Sequence, residues 1–302
     1  MALPHGSPGG IGSPGLGNLR GMGLMLVATL VIVVQHVMVK HLAQDMHSFE
    51  IAFFRTIFGL VALSPWFLRY GIGILRTQKL GLHAVRAGLQ TLSALCFFFA
   101  LGVAPLAQVT ALQFASPLFA TLLAVLFLGE RISYRRWSAI LFGFAGTYVI
   151  VRPEAGLDPG AVAVLVSAAA WALTMIVIKM LGRTESSITT TMYMYVLMTP
   201  LTLIAALPNW TWPSLVQYGW LFLIGLTGSY AHVLMAQALK EGDTNVVTPV
   251  EFVKLVWATL FGYLLFGELA DLYVYVGAAM IFASGTYIAY RENQLRRERN
   301  AR

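Results

Sequence analysis

Charged residues are scarce in this sequence of 302 residues. Only 11% are Asp, Glu, Lys or Arg, against about 25% in an ordinary soluble domain. By contrast, 58% are hydrophobic and the mean hydropathy is +0.74. A soluble monomer of this composition would expose large apolar patches, which such proteins avoid. The composition therefore excludes a soluble enzyme, a disordered chain and a collagen-like fibre, and it indicates an integral membrane protein.

Residues that bind metals and cofactors are also few. Cys96 is the single cysteine, so the chain forms neither an intrachain disulfide nor a cysteine-based metal cluster. The sequence lacks a Gly-Lys-Ser/Thr phosphate-binding loop. Four histidines lie in or near apolar runs, with a spacing that matches no common metal site: His36, His41, His47 and His232. We therefore expect no metal, no cofactor and no direct use of ATP.

Long apolar runs dominate the remaining sequence. A spanning helix needs roughly 20 mostly apolar residues, and ten stretches approach or reach that length. They lie near 21–39, 49–68, 85–103, 106–128, 137–151, 161–181, 188–207, 217–239, 246–266 and 273–290. The pattern predicts an all-α membrane protein with ten transmembrane helices in the lipid bilayer.

The basic residues predict the orientation of these spans. With the N-terminus in the cytoplasm, sixteen of the 20 Lys and Arg residues fall on the cytoplasmic side and two on the outer side. This bias is typical of cytoplasmic loops. It predicts a multi-pass protein of the cell inner membrane with both termini cytoplasmic. It also accounts for the net charge of +7 without a nucleic-acid partner.

An internal repeat relates the two halves of the chain. Residues 114–122 align with 252–260 at an offset of 138, and the same offset aligns Gly129-Glu130 with Gly267-Glu268. The sequence predicts a disordered cytoplasmic tail at 1–19 and a basic cytoplasmic tail at 291–302. Between them lie two five-helix repeats, at 20–152 and 153–290. Because five is odd, the second repeat is inverted relative to the first, as in many secondary transporters.

The chain has two five-span halves, a Gly-Glu pair that closes spans four and nine, and Arg55 near the start of span two. In these three features it resembles the EamA family of the drug/metabolite transporter (DMT) superfamily. The resemblance covers residues 20–290. Residues 47–55 are also similar to the branch that includes S-adenosylmethionine uptake transporters. The resemblance implies a ten-helix bundle with a central cavity for a small-molecule substrate.

Glu251 and Lys254 lie within span nine, where ionisable side chains cost several kcal/mol and usually face a cavity or a partner. Their spacing predicts a pair on one helix face. One interpretation is a substrate or proton site, and the other is a self-neutralising structural pair. We favour the first, because Pro249 loosens the helix just before the pair.

Arg55 lies within span two and keeps its charge at any pH. Glu50 is five residues away and therefore on another helix face. The guanidinium of Arg55 either grips a substrate carboxylate or phosphate through two hydrogen bonds or anchors neighbouring helices. The sequence leaves these two roles equally open.

Other residues complete the predicted site. Gln113 occupies in span four the position that Glu251 occupies in span nine. Four aromatic residues are candidates for stacking on a substrate: Trp171, Tyr195, Tyr230 and Trp257. Four residues are assigned structural roles at helix ends and kinks: Glu130, Glu268, Pro117 and Pro249.

The expected function is secondary transport of a small organic metabolite by alternating access. An anion-bearing or zwitterionic substrate, such as an amino acid or S-adenosylmethionine, suits Arg55. The alternatives are an exporter of metabolites or drugs, a membrane-embedded enzyme and a sensor. No catalytic constellation stands out in the sequence, so we do not expect an enzyme. We also consider a homodimer, which the sequence neither requires nor excludes.

Overall fold

The computed structural model describes residues 14–62, 77–128, 133–156, 158–182 and 184–300. Within these ranges the secondary structure is helical and contains no strand. The α-helices are α1 (Pro14–Leu42), α2 (Ser48–Ala62), α3 (Leu80–Val103), α4 (Leu106–Gln113), α5 (Ser116–Leu128), α6 (Tyr134–Val151), α7 (Pro159–Leu181), α8 (Ser187–Ala206), α9 (Leu215–Glu241), α10 (Thr244–Val247), α11 (Val253–Phe266) and α12 (Leu272–Asn300).

Each of the ten predicted spans overlaps at least one described helix. Seven segments of the described chain are long and apolar enough to cross a membrane. Helix α1 begins at Pro14, so residues 14–19 of the predicted disordered tail are helical, while residues 1–13 lie outside the described part. Helix α12 likewise continues through 291–300 of the predicted basic tail.

Two of the predicted spans are interrupted. Span four is divided into α4 and α5 at Phe114 and Ala115, and Pro117 follows at the start of α5. Span nine is divided into α10, a 3-10 helix at Thr248–Phe252 and α11, with Pro249 near the start of the 3-10 helix. Proline removes a backbone donor and clashes with the preceding turn, so each interruption has a local cause.

The largest helix interfaces are the same when the two halves are exchanged. Helix α1 packs along α9, and the equivalent helices α7 and α3 pack along each other. Helix α2 packs on α9, and α8 packs on α3 in the same way. Helices α6 and α12, which are each other's equivalents, form a third large interface.

Small residues allow two of these equivalent crossings to come close. A Cβ on Gly21 would lie 2.9 Å from the carbonyl oxygen of Ala238, where α1 meets α9. A Cβ on Gly160 would lie 2.6 Å from the Cβ of Ala104, where α7 meets the end of α3. Close backbone approach at small residues is typical of packed membrane helices.

The helix ends gather on two opposite faces of the bundle. We call the first the Lys40 face, because Lys40 there contacts Glu268, and Gln108 contacts Asp158. We call the second the Asn18 face, where the Asn18 side chain accepts a hydrogen bond from the backbone of Asp243. Helix α1 starts and helix α12 ends at the Asn18 face.

Candidate substrate site

The interruptions of the two broken spans meet at the centre of the bundle. The rings of Phe114 and Phe252 have centroids 4.3 Å apart, and these residues occupy equivalent positions in the two repeats. Phe282 packs edge-on against Phe252 with a centroid distance of 4.1 Å. The contact therefore marks the place where the two halves face each other. Discontinuous helices near the midplane form the substrate sites of many transporters.

Glu251 and Lys254 lie next to this contact. Glu251 belongs to the 3-10 helix and Lys254 to the first turn of α11. Their side chains form an ion pair, and the exposed fractions are 26% for Glu251 and 14% for Lys254. The pairing that their spacing predicts is therefore present, and the pair has no net charge.

Arg55 faces the same region from α2. Its guanidinium carbon lies 5.4 Å from the ring centroid of Phe98, and the residue is half-buried. Among the described residues it forms no hydrogen bond or ion pair. Glu50, the nearest acid along its helix, is fully buried and accepts hydrogen bonds from the backbone and hydroxyl of Thr211. The positive charge of Arg55 is therefore not neutralised by a described acid.

Two histidines share the electrostatic environment of these charges. His36 on α1 interacts electrostatically with Lys254 and Arg55. His232 on α9 interacts with the same two cations and with Glu251. The sequence alone suggests both only as candidate metal ligands and does not place them in the site, because an isolated histidine in an apolar run gives no signal of what it faces. Helix α1 packs against α9 and α11, and α2 packs against α9, so these four helices surround one polar region.

Several polar atoms in this region are buried without a described partner. They are Oε1 of Gln113, Nε1 of Trp257 and Nδ1 of His36. An unpaired buried donor or acceptor costs about 1–3 kcal/mol. Gln113 in span four and Trp257 in span nine can therefore offer an unpaired acceptor and an unpaired donor to a polar ligand.

The remaining aromatic candidates are placed less centrally. Tyr195 packs against Gly59, which lies one turn along α2 from Arg55. A Cβ added to Gly59 would lie 3.0 Å from Cζ of Tyr195. Tyr230 is 55% exposed, and Trp171 is half-buried on α7. Within the described chain no contact joins Trp171 or Tyr230 to Arg55 or to Glu251. Phe98, Phe114 and Phe252 contact the site instead.

The structural residue Glu268 ties several segments together on the Lys40 face. Its Oε1 lies 2.7 Å from Nζ of Lys40, and its Oε2 accepts a hydrogen bond of 2.8 Å from the backbone of Leu106. Lys40 also donates to the carbonyl oxygens of Ala104 and Leu101, at 2.7 Å and 3.3 Å. Glu130, which is the equivalent of Glu268 in the first repeat, lies outside the described residues.

The sequence matches the model of the EamA-like transporter family twice, over residues 19–152 and 158–290. A solved crystal structure that is 17% identical aligns with a TM-score of 0.58 over 92% of this chain and 97% of that chain. The alignment shows a shared fold.

Several curated proteins are similar over most of their length. An S-adenosylmethionine uptake transporter of Rickettsia bellii is 30% identical over 91% of this chain and 94% of its own. A riboflavin transporter of Vibrio cholerae is 35% identical over 84% of this chain and 87% of its own. A pseudopaline exporter of Pseudomonas aeruginosa is 25% identical over 86% and 93%. All three names describe transporters, and none describes an enzyme.

Proposed function

This chain belongs to the EamA-like transporter family, and we propose that it moves a small anion-bearing or zwitterionic metabolite across the inner membrane by alternating access. Family and relatives place it among multi-pass membrane transporters of small molecules rather than enzymes. The substrate, its binding residues and the transport cycle belong to the proposal. Arg55, Glu251, Lys254, Gln113 and Trp257 form its binding site.

The observation that carries the proposal is the uncompensated charge of Arg55. The Glu251–Lys254 pair is neutral, so the described charges of the region sum to one positive charge from Arg55. A lone cation in an apolar layer costs several kcal/mol unless an anionic or hydrogen-bonding group meets it. A substrate carboxylate or phosphate supplies that group through two parallel hydrogen bonds.

The aromatic and polar surroundings favour a substrate that also carries a ring. Phe98, Phe114, Phe252 and Trp257 offer π-faces, and Gln113 and Trp257 offer an unpaired acceptor and donor. A heteroaromatic ring presents both hydrogen-bonding edges and stacking faces. S-adenosylmethionine combines such a ring with a carboxylate, and it is our first candidate. An amino acid is the second.

The symmetry of the packing supports two inverted five-helix repeats that cross the membrane ten times. Equivalent crossings occur at Gly21 and Gly160, on opposite faces of the bundle. Two halves with this relation can exchange an outward-open for an inward-open arrangement. We propose that the Asn18 face is cytoplasmic, in line with the charge bias.

The orientation has its own test. Reporter fusions after Arg302 and in the loop at Pro213 should give a cytoplasmic and an outer signal, respectively. An outer signal after Arg302 would contradict the proposed orientation, and the same signal at both positions would contradict the three spans predicted between them.

The function is tested with purified protein in proteoliposomes. Labelled S-adenosylmethionine, methionine and riboflavin are supplied outside, and release is followed from preloaded vesicles, so that both directions are measured. We expect saturable transport of a carboxylate-bearing compound and its loss in the variant Arg55→Gln. A matched control is Arg291→Gln, which removes an arginine at the other end of the bundle. Equal transport by both variants and the wild type would overturn the proposed role of Arg55.

A further inference from the structure

A cleft of about 420 Å³ opens on the Lys40 face, away from the central site. Its walls come from both halves, since Pro105 and Ile150 lie opposite Leu269 and Val274. Its volume is within the range of about 300–1,000 Å³ that small-molecule sites occupy. The wall combines polar and apolar surface, with Ile150, Leu269 and Val274 among its apolar side chains. Four polar side chains border the cleft: Gln108, Arg152, Asp158 and Asp271.

Arg152 and Asp271 form an ion pair at the edge of this cleft. Nη2 of Arg152 lies 2.6 Å from Oδ2 of Asp271, and the side chains are 38% and 42% exposed. An ion pair as exposed as this one contributes little to stability, because water screens the attraction and competes for both side chains. Separating the two side chains is therefore easy if another molecule offers each of them a new partner.

The guanidinium of Arg152 keeps its place through a second contact. It lies over the ring of Tyr273 with its carbon 4.5 Å from the ring centroid. The backbone of Arg152 has a φ of 44°, and among the described residues it is the one non-glycine with a positive φ. Releasing Asp271 therefore leaves a positioned cation beside the cleft.

The second acid of the cleft is already committed. Asp158 caps the start of α7 by accepting a hydrogen bond of 2.8 Å from the backbone of Gly160, and its other oxygen accepts from Gln108 at 2.9 Å. A ligand therefore has one cation and one acid to engage, Arg152 and Asp271. A simple anion would leave Asp271 without a partner, and a simple cation would leave Arg152 without one.

We propose that this cleft is a second binding site, which takes a small zwitterion with a carboxylate, an ammonium group and an apolar body. The carboxylate replaces Asp271 at the Arg152 guanidinium, and the ammonium group pairs with the released Asp271. The apolar body covers Ile150, Leu269 and Val274. The inference rests on the proposed function in one respect, that the transported compound is itself of this class.

The position of the cleft connects it with the network around Glu268. Leu269 follows Glu268 directly, and Pro105 precedes Leu106, whose backbone donates to Glu268. The cleft therefore lies where the two halves are held together on the Lys40 face. A rearrangement of this face changes the cleft, so occupancy of the second site and the state of the face are linked.

The test is equilibrium dialysis of the purified full chain in detergent, with labelled methionine as the probe, because methionine has the carboxylate, the ammonium group and the apolar body of the proposed ligand. We expect two sites in the wild type. The double variant Arg152→Gln/Asp271→Asn loses the cleft site without leaving an unpaired charge, and Arg291→Gln serves as the matched control. A double variant that binds as many equivalents as the control overturns the proposal. So does a wild type that binds no probe.

A second measurement does not depend on the folding of the double variant. In the variant Arg55→Gln the cleft site remains, and unlabelled methionine, its methyl ester and N-acetylmethionine compete for it. Because each analogue lacks one charged group, we expect each to compete about tenfold more weakly than methionine. Equal competition by all three overturns the proposal.

The same zwitterionic chemistry is found in the headgroup of phosphatidylethanolamine. Binding is therefore repeated in nanodiscs of phosphatidylglycerol alone and with added phosphatidylethanolamine. Unchanged occupancy supports a soluble metabolite, and displacement by the added lipid overturns that assignment in favour of a lipid headgroup.

The proposed function fails separately. A wild type that binds at the cleft and transports none of the tested compounds contradicts the transport proposal and leaves the cleft site standing. If the wild type transports the probe and has one binding site, which is lost in Arg55→Gln, the cleft site is contradicted and the transport proposal stands.

Discussion

The centre of the bundle and the Lys40 face use similar charged side chains in opposite ways. On the face, Lys40 and Glu268 are both paired and also bind backbone groups of α3 and α4. At the centre, Arg55 has an aromatic neighbour but no described ionic partner, and Gln113 and Trp257 have unpaired buried atoms. Satisfied charges on the face hold the halves together, whereas unsatisfied groups at the centre are available to a ligand.

The largest expected effect concerns the face. Glu268→Ala leaves the buried Lys40 ammonium without its counter-ion and Leu106 without its acceptor. Removing one partner of a buried ion pair costs about 3–5 kcal/mol. Thermal unfolding in detergent should show this loss. The double variant Lys40→Met/Glu268→Gln removes both charges and should recover most of the stability. Equal losses in the single and double variants would contradict the assigned role of the pair.

The next effect concerns the pair at the centre. Glu251→Gln and Lys254→Ala should each reduce transport at least about tenfold, since a buried charge is left unpaired and a binding group is lost. Both proteins should still reach the membrane, as measured by their abundance in membrane fractions. The double neutral variant Glu251→Gln/Lys254→Gln separates the two roles. We expect it to remain defective, and full transport by this variant would reject a direct role of the pair in transport.

A smaller effect is expected when the charge of Arg55 is kept and its shape is changed. Arg55→Lys retains the cation but loses the planar fork, so the apparent substrate affinity should fall about tenfold. Protein abundance should be unchanged. Esterifying the substrate carboxylate should weaken binding strongly in the wild type and less in the variant. If both proteins lose equally, Arg55 does not contact that carboxylate and acts as a helix anchor.

The smallest effect tests how closely the halves pack at the Lys40 face. Gly160→Ala places a methyl group 2.6 Å from the Cβ of Ala104, so the helices must separate slightly. Overpacking of this kind costs about 1–3 kcal/mol. Thermal unfolding should shift downward by a few degrees. The matched control Gly88→Ala adds a methyl group where no atom lies within 4 Å, and it should not lower the unfolding temperature. Equal shifts would show that the crossing is not tightly packed.

Much of the helical architecture could be predicted from the sequence, because a bilayer-length apolar run carries its own signal. The two interruptions also carried a signal in the sequence. Pro117 lies at the start of α5, and Pro249 lies in the 3-10 helix between α10 and α11. The tails were different. Proline is tolerated in the first turn of a helix, so the Gly/Pro/Ser-rich start did not prevent α1 from beginning at Pro14. The helix-forming residues of 291–300 likewise extend α12.

The candidate site was only partly predictable for a physical reason. The spacing of Glu251 and Lys254 is a property of one helix, so their pairing could be foreseen. Contacts across the halves, such as Phe114 with Phe252 or Lys40 with Glu268, join residues more than a hundred positions apart. Periodicity carries no information on such pairs. The repeat offset relates Phe114 to Phe252, yet it does not say that an equivalent pair meets.

That meeting has a consequence for the balance between the two states of the proposed transport cycle. In a molecule whose halves exchange roles, the Phe114–Phe252 contact looks the same before and after the exchange, so it adds nothing to the energy difference between the two states. That difference arises where equivalent positions carry different side chains. Beside the contact, Gln113 corresponds to Glu251 and Ser116 to Lys254. A chain with identical halves would populate both states equally, so mismatched positions such as these two contribute to any preference for one of the two states.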